Sequence, residues 1–298
     1  MEFKGVMGGF YRISEWIMRL SVINVLWILC GLPFFLIAFF GLFTIQVDET
    51  LMQFYSMLIV CGILAPFTLF PSTAAMFAVA RKWLTGEEDV PLFKTFFRGY
   101  KENFKQAMLG GLIYFVFGIV IAANLYYYNS VGGGWSVLKY LVLTLTVLLS
   151  VSFFHFFSIL SHLHMKLLQI IKNSILITIG HPARSISMIV LNGVVVYFSL
   201  AKFTFLIPFF MGSIIAVISF WHFNTIFGKL QTKQQELAEK EAEAQAEAEG
   251  QKEEDPLQLN AGDGDDKDVR KDVVPADKSF SASVNQQEPD GKPKTSDQ

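Results

Sequence analysis

The sequence predicts an all-α polytopic membrane protein with six transmembrane helices, cytoplasmic amphipathic helices and a disordered acidic C-terminal tail. Hydrophobic residues make up 52% of the chain, more than in soluble domains. Uncharged runs such as residues 50–80 are long enough to cross a hydrocarbon core of about 30 Å. Residues 1–230 hold 15 Lys and Arg against 8 Asp and Glu, whereas residues 231–298 hold 9 against 18. This charge division indicates a basic membrane domain followed by an acidic, solvated extension that is partly helical and then disordered.

Six apolar segments separated by polar turns define the predicted spans. Residues 1–20 precede them and predict an interfacial helix, for which Trp16 is a suitable anchor. Gly31 and Pro33 are expected to bend the first span, while a re-entrant fifth segment would leave only five spans. The predicted spans cover residues 21–47, 53–80, 107–128, 136–164, 186–201 and 203–227.

Two prolines interrupt the second predicted span. Pro66 and Pro71 lie five residues apart and leave backbone carbonyls without their usual helical donors. The hydroxyl groups of Ser72 and Thr73 are close in sequence and can donate to such carbonyls. We therefore expect a kinked span whose bend is supported by its own side chains.

A basic segment follows the second span. Arg81, Lys82 and Trp83 end the apolar run, a boundary typical of the cytoplasmic side. Gly86 and three acids come next, and the acids suit the positive end of a following helix. That helix is predicted over residues 92–106, with an aromatic face that favours the headgroup region. Its charged face is a candidate surface for anionic lipid or for a docking partner, and it consists of Lys94, Arg98, Lys101 and Lys105.

Several segments carry a family likeness, and it is strongest at the end of the second span and in the basic helix. These segments are residues 11–20, 26–33, 71–77, 81–83, 93–106 and 173–182. Over residues 9–230 the chain resembles the YesL family of bacterial multi-pass membrane proteins, whose biochemical activity is undefined. The resemblance implies a plasma-membrane location. It also implies an association with carbohydrate uptake and utilisation, because family members are often encoded beside such systems.

The basic residues of the first 230 positions predict the orientation. With six spans, 13 Lys and Arg fall on one side, while only Lys139 and Lys202 fall on the other. Cytoplasmic segments carry the excess of basic residues in membrane proteins. Both termini are therefore expected in the cytoplasm of a bacterial cell. Five spans would instead place the tail outside, against Lys229 and Lys233.

The fourth span carries polar residues along one helical line. They are expected to face the bundle interior, and they are Thr144, His155, Ser158 and His162. Two of these histidines together with His222 could form a zinc site, although hydrogen-bonded interior histidines are the commoner arrangement. No Asp or Glu falls within the predicted spans, which disfavours a proton-coupled carrier.

The sequence contains no nucleophile elbow, phosphate loop or dinucleotide fingerprint. We therefore expect neither an enzyme nor a cofactor or metal. The basic segments suit anionic lipid rather than nucleic acid. The leading interpretation is an accessory or interaction component linked to carbohydrate uptake, in contact with a transport-system subunit. The alternative is a small-solute transporter or channel subunit that uses the polar line as its site, and an intramembrane enzyme is the third.

Overall fold

A computed structural model of the protein describes residues 6–44, 52–131 and 137–254. These residues form helices and no strand, which confirms the predicted all-α class. The chain divides into two units, Met1–Ile226 and Phe227–Gln298. The helices are α1 (Val6–Cys30), α2 (Leu32–Thr44), α3 (Met52–Leu64), α4 (Leu69–Leu84), α5 (Leu92–Val131), α6 (Val137–His162), α7 (Leu167–Gly180), α8 (Pro182–Ala201) and α9 (Gly212–Glu254), with a π-helical segment at Ile207–Met211.

The described helices include five that are long and apolar enough to cross a membrane, and a bent pair that makes a sixth. The bent pair is α3 and α4, which meet at 57° across a short break. The fold is therefore that of a polytopic helical membrane protein with five to six spans. The five single helices cover Gly9–Cys30, Leu92–Ser130, Val137–His162, Pro182–Ala201 and Ile207–Ala246.

The N-terminal helix boundary differs from the prediction. No break falls near residue 20, because α1 contains no Gly or Pro after its first turn. The interfacial helix predicted over residues 1–20 is therefore not a separate element. Helical hydrogen bonds continue across Gly31, whose N–H donates to Trp27 and whose carbonyl accepts from Phe35. The predicted first span thus corresponds to the end of α1 together with α2.

Side-chain hydroxyls bond to backbone carbonyls near the bend between α3 and α4, although not to the carbonyls that Pro66 and Pro71 leave without a helical donor. Ser72 and Thr73 both donate to the carbonyl of Leu69, at 2.8 and 2.7 Å. Thr68 donates to a carbonyl at the end of α3, at 3.0 Å. Pro66 lies in the break, where its missing N–H cannot extend α3. The bend is therefore built from local side chain–backbone bonds.

The first half of α5 packs closely against α4. A Cβ atom at Gly99 would lie 2.7 Å from the Cβ of Ala78, and one at Gly111 would lie 1.7 Å from the ring of Phe70. The helix has 40 residues and no internal proline, so it extends for about 60 Å at 1.5 Å per residue. The expected helix over residues 92–106 is consequently not a separate element in the headgroup region. It continues directly into the predicted third span.

The core of the first unit is aromatic. Phe77 of α4 and Phe157 of α6 have ring centroids 5.6 Å apart, and Phe157 also contacts Phe156 at 5.3 Å. The second half of α5, the first half of α6 and much of α8 instead expose large apolar side chains, as expected for surfaces that face lipid. The largest fully buried phenylalanines are Phe77, Phe96, Phe156, Phe157, Phe220 and Phe223.

The second unit begins within α9. From Glu236 to Ala246 every side chain is exposed, in agreement with a predicted helix that has no apolar stripe. Disorder was predicted for the rest of the tail, and residues 255–298 lie outside the described part of the chain. The predicted outer turns near Asp48 and Gly133 also lie outside it.

Candidate functional site

The basic face predicted on residues 92–106 is exposed on α5. Arg98 donates to Glu102 one turn away at 2.8 Å, and this pair is exposed to solvent. Among the described residues, no ion pair or hydrogen bond is made by the ammonium groups of Lys94, Lys101 and Lys105. Three of the four charges are therefore available to a partner. The exposed basic face, as we use the term below, is Lys94, Arg98, Lys101 and Lys105.

A cavity of about 290 Å³ lies beside this face, between the end of α4 and the start of α5. The close contact of Gly99 with α4 forms part of its wall. Lys101 and Lys105 do not line it, so only half of the exposed basic face reaches the cavity. We call it the α4–α5 cavity, and its charged lining residues are Arg81, Lys82, Glu87, Lys94, Arg98 and Glu102.

The loop that leads from α4 to α5 is tied to α1 by Arg19. This buried side chain donates to the carbonyl of Glu88 and to the carboxylate of Asp89, each at 2.6 Å. It also pairs with Glu15 one turn earlier in α1. Because one guanidinium group bonds two positions of the loop, the wall of the α4–α5 cavity has a defined position.

The three acids of this loop precede α5, as predicted, and two of them pair with basic residues outside that helix. Asp89 pairs with Arg19, and Glu87 accepts from Lys82 at 2.6 and 2.8 Å. The first turn of α5 contains no acidic residue. The positive end of this helix is therefore not neutralised by a carboxylate of its own.

The predicted polar line on α6 is only partly inside the bundle. His155, Ser158 and His162 are buried, and the ring of His162 packs edge-on against Phe220 at 5.8 Å. Thr144 does not join them. It lies on the uncovered first half of α6, is exposed, and donates to a carbonyl of its own helix at 3.0 Å.

The interior histidines have different environments. His155 is fully buried, and neither of its ring nitrogens has a hydrogen-bond partner within the described ranges. His222 lies within hydrogen-bonding distance of the Ile218 carbonyl, at 2.9 Å, and of the Ser187 hydroxyl, at 3.2 Å. In the part of the chain that the structure describes, no three His, Cys, Asp or Glu side chains converge as metal ligands. The zinc arrangement considered from the sequence is therefore not formed there.

Asn24 makes interior contacts that sequence reasoning missed. Its amide nitrogen donates to the carbonyls of Ile207 and Pro208, at 3.0 and 2.8 Å, and its oxygen accepts from the Ser213 N–H at 3.0 Å. Pro208 lacks an N–H and lies in the π-helical segment, where backbone groups need outside partners. A lone amide within an apolar run was the signal that could have revealed this contact.

A second interior cluster joins three helices through hydroxyl groups. The Tyr114 hydroxyl of α5 lies 2.7 Å from that of Ser152 and 2.9 Å from that of Ser174. The two serines, from α6 and α7, are 3.1 Å apart. Another bond links α8 to α9, because Asn192 donates to Ser219 at 2.9 Å. The bundle interior thus contains several small polar contacts rather than one continuous channel lining.

The helices and these sites define a polytopic helical membrane protein with an aromatic core, several interior polar contacts and an exposed basic face. The chain belongs to the family described as "Protein of unknown function, DUF624", whose model matches residues 20–125. This agrees with the predicted YesL-like resemblance.

Three relatives from Bacillus subtilis (strain 168) support the assignment. The "Uncharacterized protein YteU" is 28% identical over 241 residues, which cover 81% of this chain and 94% of that protein. The "Uncharacterized protein YesL" is 28% identical over 215 residues, 72% of this chain and 87% of the relative. The "Uncharacterized protein YesV" is 33% identical over 144 residues, 47% and 67% respectively. No solved structure matches the chain.

Proposed function

We propose that this chain is an accessory component of the bacterial cell membrane that docks on an acidic cytoplasmic surface of a carbohydrate-uptake system. The observation that carries the proposal is the exposed basic face of α5. Its residues extend from a helix that also contains a predicted span, so the charges have a fixed position relative to the membrane domain. The link to carbohydrate uptake is supported by the family resemblance.

The spacing of the basic residues favours an extended acidic partner. Lys94 and Lys105 are separated by 11 positions, or about 16 Å along the helix. The four side chains recur at intervals of four, three and four residues and therefore share one side of α5. Complementary charge of this kind steers association and fixes register more than it adds affinity. Anionic lipid is the competing partner, at about 1 kcal/mol per basic residue.

Charge reversal and charge-conserving exchange separate the two partners. The variant Lys101→Glu/Lys105→Glu is compared with Lys101→Arg/Lys105→Arg, and Lys202→Glu at the end of α8 is the control. A docked protein partner should be lost on co-purification with the Glu pair, and retained with the control. Because Arg and Lys differ in hydrogen-bond geometry, a protein partner should also be weakened by the Arg pair. A surface that contacts lipid alone should tolerate the Arg pair fully.

Photo-cross-linkers at Arg98 and Lys101 provide an independent measurement in native membranes. The docking proposal expects a cross-linked subunit of a transport system, identified by mass spectrometry. Cross-links to lipid alone would overturn it.

A second candidate is a small-solute transporter or channel subunit. The observation that favours it is His155, which is fully buried without a hydrogen-bond partner within the described ranges. Buried polar groups without partners are uncommon and frequently have a functional role. Uptake of labelled oligosaccharide by vesicles that contain only this protein tests the candidate. Saturable uptake that His155→Leu abolishes would favour transport, whereas no uptake above protein-free vesicles would count against it.

A further inference from the structure

The α4–α5 cavity has an excess of positive charge. Two of its basic residues are neutralised locally, because Lys82 pairs with Glu87 and Arg98 pairs with Glu102. The other two, Arg81 and Lys94, make no ion pair with any described residue. The cavity is thus lined by two cations without an ion pair, one from α4 and one from α5.

Arg81 is the more informative of the two. Its Nε atom is shielded from solvent and has no hydrogen-bond partner within the described ranges. Arginine presents its donors in a planar fork that matches the oxygens of a phosphate group. A buried donor without an acceptor is uncommon in folded proteins, and an anion in the cavity would supply that acceptor.

The start of α5 adds one further donor. Pro91, Lys94 and Thr95 line the cavity there. Pro91 has no N–H and the Thr95 N–H donates to the Pro91 carbonyl at 2.9 Å, so the Lys94 N–H is the one left without a backbone acceptor among the described residues. The first N–H groups of a helix have no helical acceptor and attract anions, phosphate in particular. The first turn of α5 contains no acid that would compete for them. The start of α5 opens onto the same cavity as the Arg81 Nε atom, which has no hydrogen-bond partner within the described ranges.

The dimensions of the cavity limit its ligand. A volume of about 290 Å³ is roughly ten times the ~30 Å³ that a water molecule occupies in the liquid. It lies at the low end of small-molecule sites, which begin near ~300 Å³. A phosphate group with a short attached fragment therefore fits, whereas a large oligosaccharide does not.

From these observations, we propose that the α4–α5 cavity is a phosphate-binding site. Arg81 and Lys94 bind the phosphate oxygens, together with the backbone N–H of Lys94. The phosphate belongs either to an anionic lipid headgroup or to a free phosphate ion or phosphate ester, since these share the chemistry that the cavity recognises. The site shares Lys94 and Arg98 with the exposed basic face, whereas Lys101 and Lys105 lie outside the cavity.

Two measurements on the full-length protein distinguish the sources of phosphate. In nanodiscs of phosphatidylcholine, inorganic phosphate is titrated by calorimetry. In nanodiscs with added phosphatidylglycerol, retained lipid is counted by native mass spectrometry. Arg81→Gln and Lys94→Gln test the site, while Lys101→Gln and Lys105→Gln remove the same charge from the same helix outside it. Lys94 is exposed, so its variant should fold even if Arg81→Gln does not.

Binding of either probe should weaken about tenfold or more in the Arg81 and Lys94 variants, because each loses a charge-assisted hydrogen bond. In the two control variants, binding of inorganic phosphate should change less than about twofold, and retention of phosphatidylglycerol should fall less than in the Arg81 and Lys94 variants. Binding of free phosphate would identify a soluble ligand, and retention of phosphatidylglycerol alone would identify a lipid headgroup. Equal losses in all four variants would show a diffuse charge effect and overturn the proposal, as would the absence of binding in both measurements.

Discussion

Asn24 provides a quantitative test of how the polar interior stabilises the bundle. Its three hydrogen bonds join α1 to the π-helical segment and to the start of α9. Asn24→Leu preserves the approximate size of the side chain and removes all three bonds. At the average of about 0.6 kcal/mol per bond found in a membrane helix bundle, the loss is about 2 kcal/mol. Since the former partners stay buried, the upper value of about 1.5 kcal/mol per bond gives about 4.5 kcal/mol.

The free energy of unfolding can be measured by titrating SDS into mixed micelles and following circular dichroism. The matched control is Asn124→Leu, because the Asn124 amide donates at 2.8 Å to Val120 within its own helix. The control should change stability by less than about 0.5 kcal/mol, as is usual for substitutions away from interhelical contacts. Asn24→Leu should lower the free energy of unfolding by about 2 to 4.5 kcal/mol. Equal stability of the two variants would refute the structural role assigned to Asn24.

Three further predictions concern packing, topology and the tail. Gly99→Ala should destabilise the protein by about 1–3 kcal/mol in the same SDS titration, because its Cβ would overlap Ala78. The control Gly118→Ala has open space around the new Cβ and should be neutral or stabilising. Equal effects of the two substitutions would contradict close packing of α5 on α4. Truncation after Gln231 should leave membrane insertion unchanged in fractionated cells, because the removed segment has no apolar stripe to bury, and loss of the whole protein would contradict this. Topology reporters are fused after Asp48, Glu87, Gly133, Lys172, Lys202 and Gln231. They should read out, in, out, in, out and in, and a tail cleaved by external protease would contradict this orientation.

The sequence predicted the helical class and a number of spans that agrees with the five to six found, since both depend on apolar runs and on local breakers. The hydroxyl groups of Ser72 and Thr73 bond to the backbone near the bend, but to the Leu69 carbonyl rather than to one that a proline leaves without a donor. Helix ends were harder to predict. The change from basic to apolar residues near position 106 marks a change of environment, and α5 continues through it because backbone hydrogen bonding does not depend on polarity.

The candidate sites were predicted in part. The exposed basic face was recognisable from its helical spacing, because exposure of charged side chains follows from amphipathicity alone. The α4–α5 cavity was not, because it depends on how Gly99 approaches α4 and on Arg19 fixing the loop from 70 positions away. Thr144 shared the helical line of His155, but whether a neighbouring helix covers a residue cannot be deduced from periodicity on one helix.

The length of α5 has a mechanical consequence. Each half of the helix measures about 30 Å, so a tilt of about 10° around its midpoint moves each end by about 5 Å in opposite directions. One end carries the exposed basic face and borders the α4–α5 cavity, while the other ends just before the glycines at 132–134. A ligand or partner that restrains the basic end of α5 would thereby limit the displacement of its far end. Because α5 packs against α4 and Tyr114 contacts α6 and α7, such a tilt would also displace contacts in the bundle core.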